Sequence, residues 1–281
     1  MRIVTPLFGF GYDGDKEFTF ATRPYHIGKF EPADRDIAND IELFSRQDVE
    51  WMRDAWWALI AEIDDPGTYT QDMNLLLVGF RIYMRSFGVF VKYHLCKENA
   101  RLSCRLNDVV KEIPPQEETA PLNVTEKDLA EIDTGFTKLL EMERISDRTH
   151  NALYFLYRGL CAQKMIDGFV YLMMAVESLF SKDKRGPATK TVCSRASAFL
   201  DSRKNCTYAD VESLYDLRSK IVHGRVRTSN DIKGKQQVLW RLQYVVCECM
   251  KKLLDNDLYQ MYADDSQKES YFQRLASGKG A

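Results

Sequence analysis

The spacing of apolar and polar residues changes character along the chain. Residues 1–45 alternate short apolar runs with Gly and Pro, which predicts short strands joined by tight turns. From Ser45 onward, apolar residues recur every three or four positions, which predicts a helix that ends at the Asp-Asp-Pro-Gly sequence of residues 64–67. A second helix is predicted over 72–85. Aromatic residues at helical spacing are expected in the core rather than at a partner surface, and here they are Trp51, Trp56 and Trp57.

The middle of the chain contains a predicted hairpin and a predicted linker. Two β-prone runs, 89–95 and 101–106, flank a short polar turn and predict a β-hairpin. The stretch 114–121 contains three prolines and two glutamates, a composition typical of a linker. The sequence therefore predicts a mixed α/β domain, a helical domain and a flexible tail, at 1–120, 125–262 and 263–281.

The second half of the chain has the pattern of a helical bundle. Thr125 followed by Asp128 predicts a helix N-cap, with the helix running to about Ile145. A long amphipathic stretch covers 149–180, although two glycines inside it weaken the case for one unbroken helix. Further helices are predicted over 190–200, 208–222 and 231–254. The expected fold class is mainly α, with a C-terminal antiparallel helical bundle after the smaller mixed domain.

Composition narrows the class of protein. The 281 residues are 45% apolar and 28% charged, which excludes a disordered or collagen-like chain. The longest apolar runs, 75–80 and 169–176, are far shorter than the roughly 18 residues that span a bilayer. The first residues lack the pattern of a signal peptide, and seven unevenly spaced cysteines do not make a disulfide framework. We therefore expect a soluble, cytoplasmic protein without a membrane partner.

Charge is distributed unevenly. The net charge of −2 excludes a globally basic nucleic-acid coat. Residues 181–241, however, contain 14 Lys and Arg against 6 Asp and Glu. Such a local excess is compatible with a polyanion-binding surface, and it is equally compatible with ordinary solvated helix faces.

Two charged residues occupy apolar helix faces. On the predicted helix 208–222, Arg218 falls in the middle of the apolar stripe, where an unpaired guanidinium is costly. On the preceding long stretch, Glu177 is likewise on the apolar side. An acid and a base on packed helices invite pairing, since arginine suits a bidentate contact with carboxylate. A purely structural salt bridge of Glu177 with Arg218 or with Arg195 is the alternative to a functional site.

A histidine follows Arg218 at the predicted helix end. His223 comes five residues after Arg218, and Gly224 is suited to the left-handed position that ends many helices. On an ideal helix the two side chains diverge, so they face one site only if the last turn relaxes. The alternative is a solvated histidine cap. Lys220, Arg225 and Arg227 add basic charge around it.

The segment 214–225, with its R-x4-H spacing, resembles the motif of HEPN-domain proteins, especially the Apea-like group. Two upstream segments, Ala-Val-Glu-Ser-Leu-Phe at 175–180 and Arg-Ala-Ser-Ala-Phe-Leu at 195–200, resemble the same group in order and spacing. The resemblance covers about 151–262, and it implies a HEPN-type helical bundle that is often a homodimer. Many members are metal-independent endoribonucleases of bacterial anti-phage defence or toxin systems, and others are inert binding modules.

The resemblance also assigns roles to residues. It implies Arg218 and His223 as the catalytic pair and Glu177 as the acid that orients Arg218. The residues expected to contact RNA are Ser219, Lys220, Arg225 and Arg227. Attack by the RNA 2′-OH needs no metal or cofactor and leaves a 2′,3′-cyclic phosphate and a 5′-OH end. The expected partners are RNA, a second copy of the chain, and a phage-derived trigger or protein.

Other functions have weaker signals. An inert HEPN module that binds RNA, a nucleotide or a protein is the main alternative, followed by an unrelated helical protein. Cys247 and Cys249 lack zinc-site spacing, and Cys249 lies on an apolar stripe, which favours core cysteines. His94, Cys96 and Cys104 would need a fourth metal ligand that the sequence does not offer. Neither a phosphate-binding Gly-rich loop nor a G-x-S-x-G motif is present.

Overall fold

The computed structural model describes residues 1–32, 52, 54–84, 91, 93–98, 101–106, 122–162, 164–182, 188–201, 206–225 and 235–277. These residues form two compact units, Met1–Thr137 and Lys138–Ala281. The described chain is mainly helical with an antiparallel sheet near its N-terminus, so the coarse fold class is confirmed. The units divide at 137 and 138, beyond the boundary predicted between 120 and 125. The predicted linker at 114–121 lies outside the described residues.

The N-terminal unit is built on a six-stranded sheet. Its strands follow the order β3-β4-β5-β1-β6-β7, and every described pair in it is antiparallel. A separate parallel pair joins β2 to β8. The strands are β1 (Arg2–Leu7), β2 (Phe10–Tyr12), β3 (Phe18–Thr19), β4 (Tyr25–Lys29), β5 (Trp57–Glu62), β6 (Tyr93–Glu98), β7 (Arg101–Leu106) and β8 (Leu122–Val124).

The central strand β1 is covered on both faces. On one face Val4 lies opposite Ile60 and Leu95 in a cluster of buried apolar residues. On the other face the Thr5 hydroxyl is 2.6 Å from the Tyr69 hydroxyl and 2.9 Å from Nδ1 of His94. Tyr69 belongs to helix α1 (Pro66–Met84), which therefore contacts this face of the sheet. The hairpin prediction is confirmed by the pairing of β6 with β7.

The helix predicted from Ser45 to residues 64–67 is wrong for residues 57–62, which form β5. The contiguous apolar run there is buried on both faces, and such a run does not distinguish a central strand from a helix. Trp56 is 73% exposed rather than in the core, while Trp57 packs edge-on against Tyr12. Ser45 and Trp51 lie outside the described residues.

The Asp-Asp-Pro-Gly sequence begins a helix rather than ending one. The Asp65 carboxylate accepts hydrogen bonds from the backbone N–H of Gly67 at 2.9 Å and of Thr68 at 3.3 Å. Pro66 then occupies the first position of α1, where its missing N–H is not needed. The helix predicted over 72–85 therefore begins six residues earlier than expected.

Seven further helices complete the described chain. The bounds are α2 (Glu126–Ile145), α3 (Asp147–Cys161), α4 (Met165–Phe180), α5 (Ala188–Phe199), α6 (Tyr208–Val222), α7 (Lys235–Asp255) and α8 (Asp265–Ala276), with a 3-10 turn at Leu258–Ala263. The predicted cap of α2 is confirmed, because the Thr125 hydroxyl donates to Asp128 at 2.7 Å and accepts from the Asp128 N–H at 3.3 Å. Among the described residues, none of the helices combines the length and apolar character needed to cross a membrane.

The amphipathic stretch 149–180 is two antiparallel helices rather than one. They cross where Gly159 of α3 meets α4, because a Cβ on Gly159 would lie 2.7 Å from Cγ of Leu172 and 3.0 Å from its backbone nitrogen. A Cβ on Gly168 would lie 3.0 Å from the Gly159 carbonyl oxygen. The two glycines thus allow a close approach of the α3 and α4 backbones.

Gly159→Ala is therefore expected to destabilise the protein by about 1–3 kcal/mol, despite the better helix propensity of alanine. The backbone of Leu172 cannot move aside without separating α3 from α4. Thermal or urea unfolding measures the loss. In a Leu172→Ala background, which removes part of the clash, the same change should cost less. Equal costs in both backgrounds would show that the glycine is not a packing requirement.

The flexible tail predicted at 263–281 is wrong for residues 265–276, which form α8. Phe272 is buried and its ring lies 5.7 Å from that of Phe180 and 6.4 Å from that of Phe199. Asp264 caps the helix by accepting from the Ser266 N–H at 2.7 Å. The segment is polar overall, so its sequence contains no apolar stripe that would predict a packed helix.

Candidate active site

Helix α6 places the predicted motif. A capping box fixes its start, since Thr207 accepts from the Asp210 N–H at 3.3 Å and the Asp210 carboxylate accepts from the Thr207 N–H at 3.0 Å. Val211, Leu214 and Tyr215 are buried along one face. Arg218 continues that face toward the C-terminal end of the helix. The bounds predicted for this helix, 208–222, are confirmed.

Arg218 pairs with Glu177 of α4, but not in the core. The distance between Nη2 of Arg218 and Oε2 of Glu177 is 3.6 Å, and the two side chains are 34% and 30% exposed. Nε of Arg218 is buried without a hydrogen-bond partner among the described residues. The expectation of a buried acid and base is therefore wrong, because this is a long, half-exposed ion pair. Pairs of this kind contribute about 0–1 kcal/mol.

The second proposed partner of Glu177 is engaged elsewhere. Nη1 of Arg195 donates to Oε1 of Glu269 on α8 at 3.0 Å, and its guanidinium carbon lies 4.7 Å from the centre of the Phe272 ring. The Glu177–Arg195 salt bridge is thus wrong, and Glu177 is left to Arg218. The sequence does not show this, because the segment that carries Glu269 has the composition of a polar tail.

Tyr215 lies behind the ion pair. Its burial, followed by the negative charge of Glu177, raises the pKa of Tyr215, and its buried hydroxyl has no hydrogen-bond partner among the described residues. The phenol therefore stays protonated and contributes no charge of its own. Sequence reasoning missed Tyr215, which looks like any apolar-stripe residue one turn before Arg218.

The end of α6 leaves His223 exposed. The Arg225 N–H donates to the Lys220 carbonyl at 2.8 Å and the Gly224 N–H donates to the Ile221 carbonyl at 3.0 Å, which together form a Schellman motif. Gly224 has a φ of 66°, the left-handed conformation that the motif requires, so its predicted role is confirmed. His223 is the C-cap residue, and its imidazole makes no hydrogen bond or ion pair with a described residue.

Arg218 and His223 are therefore near in sequence but do not contact each other in a single chain. No interaction joins their side chains within the described residues, because α6 stays regular up to Val222. The relaxation of the last turn that would turn both toward one site does not occur. The arrangement provides a half-exposed guanidinium backed by Glu177 and, beyond it, an exposed imidazole.

Charge is segregated along α6. Asp210, Glu212 and Asp216 occupy its earlier turns, whereas the basic residues Lys220 and Arg225 lie at or just after its end. Ser219, Lys220 and Arg225 are exposed, and none of their side chains forms an ion pair with the part of the chain that the structure describes. Arg227 lies outside the described residues. The C-terminal end of the helix thus presents positive charge to solvent.

An open groove adjoins the ion pair. It lies between α3 and α4, has a volume of about 300 Å³, and is lined by residues that include Arg148, Phe155 and Glu177. Nη1 of Arg148 donates to Oγ of Ser181 at 2.8 Å and to the Ser178 carbonyl at 3.3 Å. Glu177 therefore belongs both to the groove and to the contact with Arg218. Sequence reasoning did not identify Arg148 or Phe155, since neither belongs to a recognisable motif.

Metal ligands are not assembled in the described residues. Within these ranges no three His, Cys, Asp or Glu side chains are grouped so that they could hold a metal ion. Cys247 and Cys249 are buried in α7, which confirms their assignment to the core.

Comparison of the chain with protein families, with curated proteins and with solved structures gives no match.

Proposed function

We propose that the chain is a metal-independent endoribonuclease of the HEPN type. The observation that carries the proposal is the end of α6, where Arg218, held by Glu177, is followed by a capping histidine that is exposed and unengaged. The Glu177–Arg218 pair is long and partly exposed, so the guanidinium is accessible to a phosphate. His223 has no partner among the described residues, so its imidazole is accessible to a substrate.

The reaction follows from the chemistry of RNA. The 2′-OH attacks the adjacent phosphorus, the new 2′-O–P bond forms as the P–O5′ bond breaks, and the products are a 2′,3′-cyclic phosphate and a 5′-OH end. His223 removes the 2′-OH proton, which suits an imidazole at neutral pH. Arg218 stabilises the negative charge that builds on the phosphorane-like transition state. The leaving 5′-oxygen takes a proton from a second acid.

A homodimer would supply that second acid. Because one chain holds its single motif histidine away from Arg218, a site with both a general base and a general acid calls for His223 of a second copy. The expected setting is the cytoplasm, in anti-phage defence or as a toxin.

An inert HEPN module is the second candidate. The lack of contact between Arg218 and His223 favours it, since a binding surface needs no such contact. Ser219 directly after the arginine can donate a hydrogen bond to RNA but does not titrate near neutral pH. In this case the same exposed residues bind RNA, a nucleotide or a protein without cleavage.

Incubation of the purified protein with total cellular RNA in excess EDTA separates the two candidates. An endoribonuclease produces RNA fragments with cyclic-phosphate ends. Single-stranded DNA in the same reaction stays intact because it lacks the 2′-OH. RNA that remains intact, both alone and after addition of a phage lysate as trigger, would contradict the proposed activity and favour the binding module.

A further inference from the structure

Three aromatic rings lie together on the outer surface of α3 and α4. We call Tyr154, Phe155 and Tyr171 the aromatic platform. The Phe155 and Tyr171 rings are nearly parallel, at 19° with centroids 6.3 Å apart, and the Tyr154 ring lies 5.4 Å from Phe155 at a steep angle. Tyr154 is 49% exposed, and the other two are half-buried. A partly exposed cluster of three contacting rings differs from the single exposed apolar residues that are normal on a surface.

Arginines lie at both ends of the platform. The guanidinium carbon of Arg158 is 5.7 Å from the centre of the Tyr171 ring, within the range of a cation–π contact. Arg148 lines the groove together with Phe155. Both arginines are on α3, ten residues apart, which is about 15 Å along a helix. That distance spans several phosphates at the roughly 3.4 Å rise of a stacked strand.

Cations lie beside the rings on this surface. Arg148 lines the groove with Glu177, which opposes Arg218 at 3.6 Å, and Arg158 lies over the Tyr171 ring. Asp265 lies in the field of Arg148 and also contacts Lys268 at 2.7 Å. An apolar protein segment would gain little from cations at both ends of three rings. Stacked bases joined by phosphates match rings and cations together.

We propose that the aromatic platform and its two flanking arginines bind unpaired nucleotides of an RNA beside Arg218. The bases stack on the platform rings, and the phosphates lie against the arginines. Recognition is tolerant of sequence, because every base has a face that can stack. The inference rests on the proposed RNA substrate, but it concerns binding alone, so it also holds for an inert RNA-binding module.

Binding of a fluorescein-labelled 12-nucleotide single-stranded RNA tests the platform. The measurement uses the full chain with His223→Ala and EDTA, so that the RNA stays intact. Adding Tyr154→Ala together with Tyr171→Leu should weaken binding by about tenfold or more, since each stacked base contributes at this level. Arg158→Gln should lower the slope of log affinity against log salt by about 0.7 per lost phosphate contact. A purely structural role would not change that slope.

Matched controls come from exposed residues of the same unit. Trp240→Ala removes an aromatic side chain of 54% exposure from α7, and Arg274→Gln removes an exposed arginine from α8. Both should leave affinity within about twofold of the parent. A double-stranded RNA of the same sequence should bind more weakly than the single strand, because its bases are already stacked on each other.

The outcomes keep the two proposals apart. If the parent binds the RNA and the platform variants bind it equally well, or if the parent binds no single-stranded RNA, the platform proposal is overturned. If the platform variants lose a dimer by sedimentation and keep RNA affinity, the rings are a protein interface and the proposal is again wrong. Loss of RNA binding in those variants, in a protein that never cleaves RNA, would support the platform and contradict only the nuclease.

Discussion

Replacing His223 by alanine is expected to slow RNA cleavage by about 10²- to 10⁴-fold, the usual contribution of a general acid or base. The ring is exposed and has no partner among the described residues, so its removal should change the free energy of unfolding by no more than about 0.5 kcal/mol. Cleavage of a labelled RNA in EDTA and thermal unfolding of the same sample measure both effects.

His150→Ala is the matched control. His150 lies on α3, its side chain is 53% exposed, and its Nδ1 is 3.8 Å from Oε1 of Glu143. The variant should cleave RNA as fast as the wild type. Equal losses of activity in the His150 and His223 variants would point to a general surface effect and contradict a chemical role for His223.

Arg218→Lys and Arg218→Ala extend the test to the second half of the motif. Lysine keeps the charge but not the fork of donors, so its rate should lie between those of the wild type and the alanine variant. Because the ion pair with Glu177 is long and half-exposed, both variants should unfold within about 1 kcal/mol of the wild type. A loss of several kcal/mol without a specific loss of cleavage would make Arg218 a structural residue.

The helical half of the chain was predictable because its signals are local. Caps such as Thr207 and Gly224 use side chains and backbone within a few residues of each other, so the ends of α6 follow from short sequence motifs. The apolar stripe of α6 likewise placed Arg218 on the side facing its neighbours. The predicted pairing of Arg218 with Glu177 is therefore confirmed, although both side chains are more exposed than predicted.

The wrong or missing predictions concern features that depend on contacts between residues far apart in the sequence. The strand β5 is central because β1 and β4 pair with it from far along the chain, and its apolar run alone does not reveal this. The platform combines two consecutive rings of α3 with one ring of α4, and their proximity depends on the close crossing of these helices at Gly159. The partner of Arg195 lies 74 residues away on a helix that reads as a polar tail.

Arg195→Ala is expected to destabilise the protein by about 3–5 kcal/mol, the cost of breaking a buried ion pair. Its side chain is 10% exposed, its guanidinium bonds both carboxylate oxygens of Glu269, and it covers the Phe272 ring. Removing it leaves Glu269 with the longer 3.8 Å contact to Lys182 and loosens α8 from α5. Urea unfolding measures the loss, and hydrogen exchange should show α8 opening first.

Asp201→Asn is the control for charge loss alone. Asp201 pairs with Lys252 at 2.9 Å, but its side chain is 57% exposed, so the variant should lose less than about 1 kcal/mol. Asparagine also tolerates the φ of 54° at this position. Similar losses for the Arg195 and Asp201 variants would contradict the special weight given to the buried pair.

The same pair sets a dependence on pH. Burial alone would raise the pKa of Glu269, but the hydrogen bonds and charge of Arg195 outweigh it and lower the pKa below its ordinary value of 4.5. A carboxylate with a lowered pKa in the folded state stabilises the protein above its ordinary pKa, and that contribution is lost as the pH falls through the folded value. The melting-temperature difference between wild type and Glu269→Gln should therefore be largest near neutral pH and shrink below about 4.5. A difference that stays constant down to pH 3 would mean that Glu269 is not ionised in the contact that holds α8.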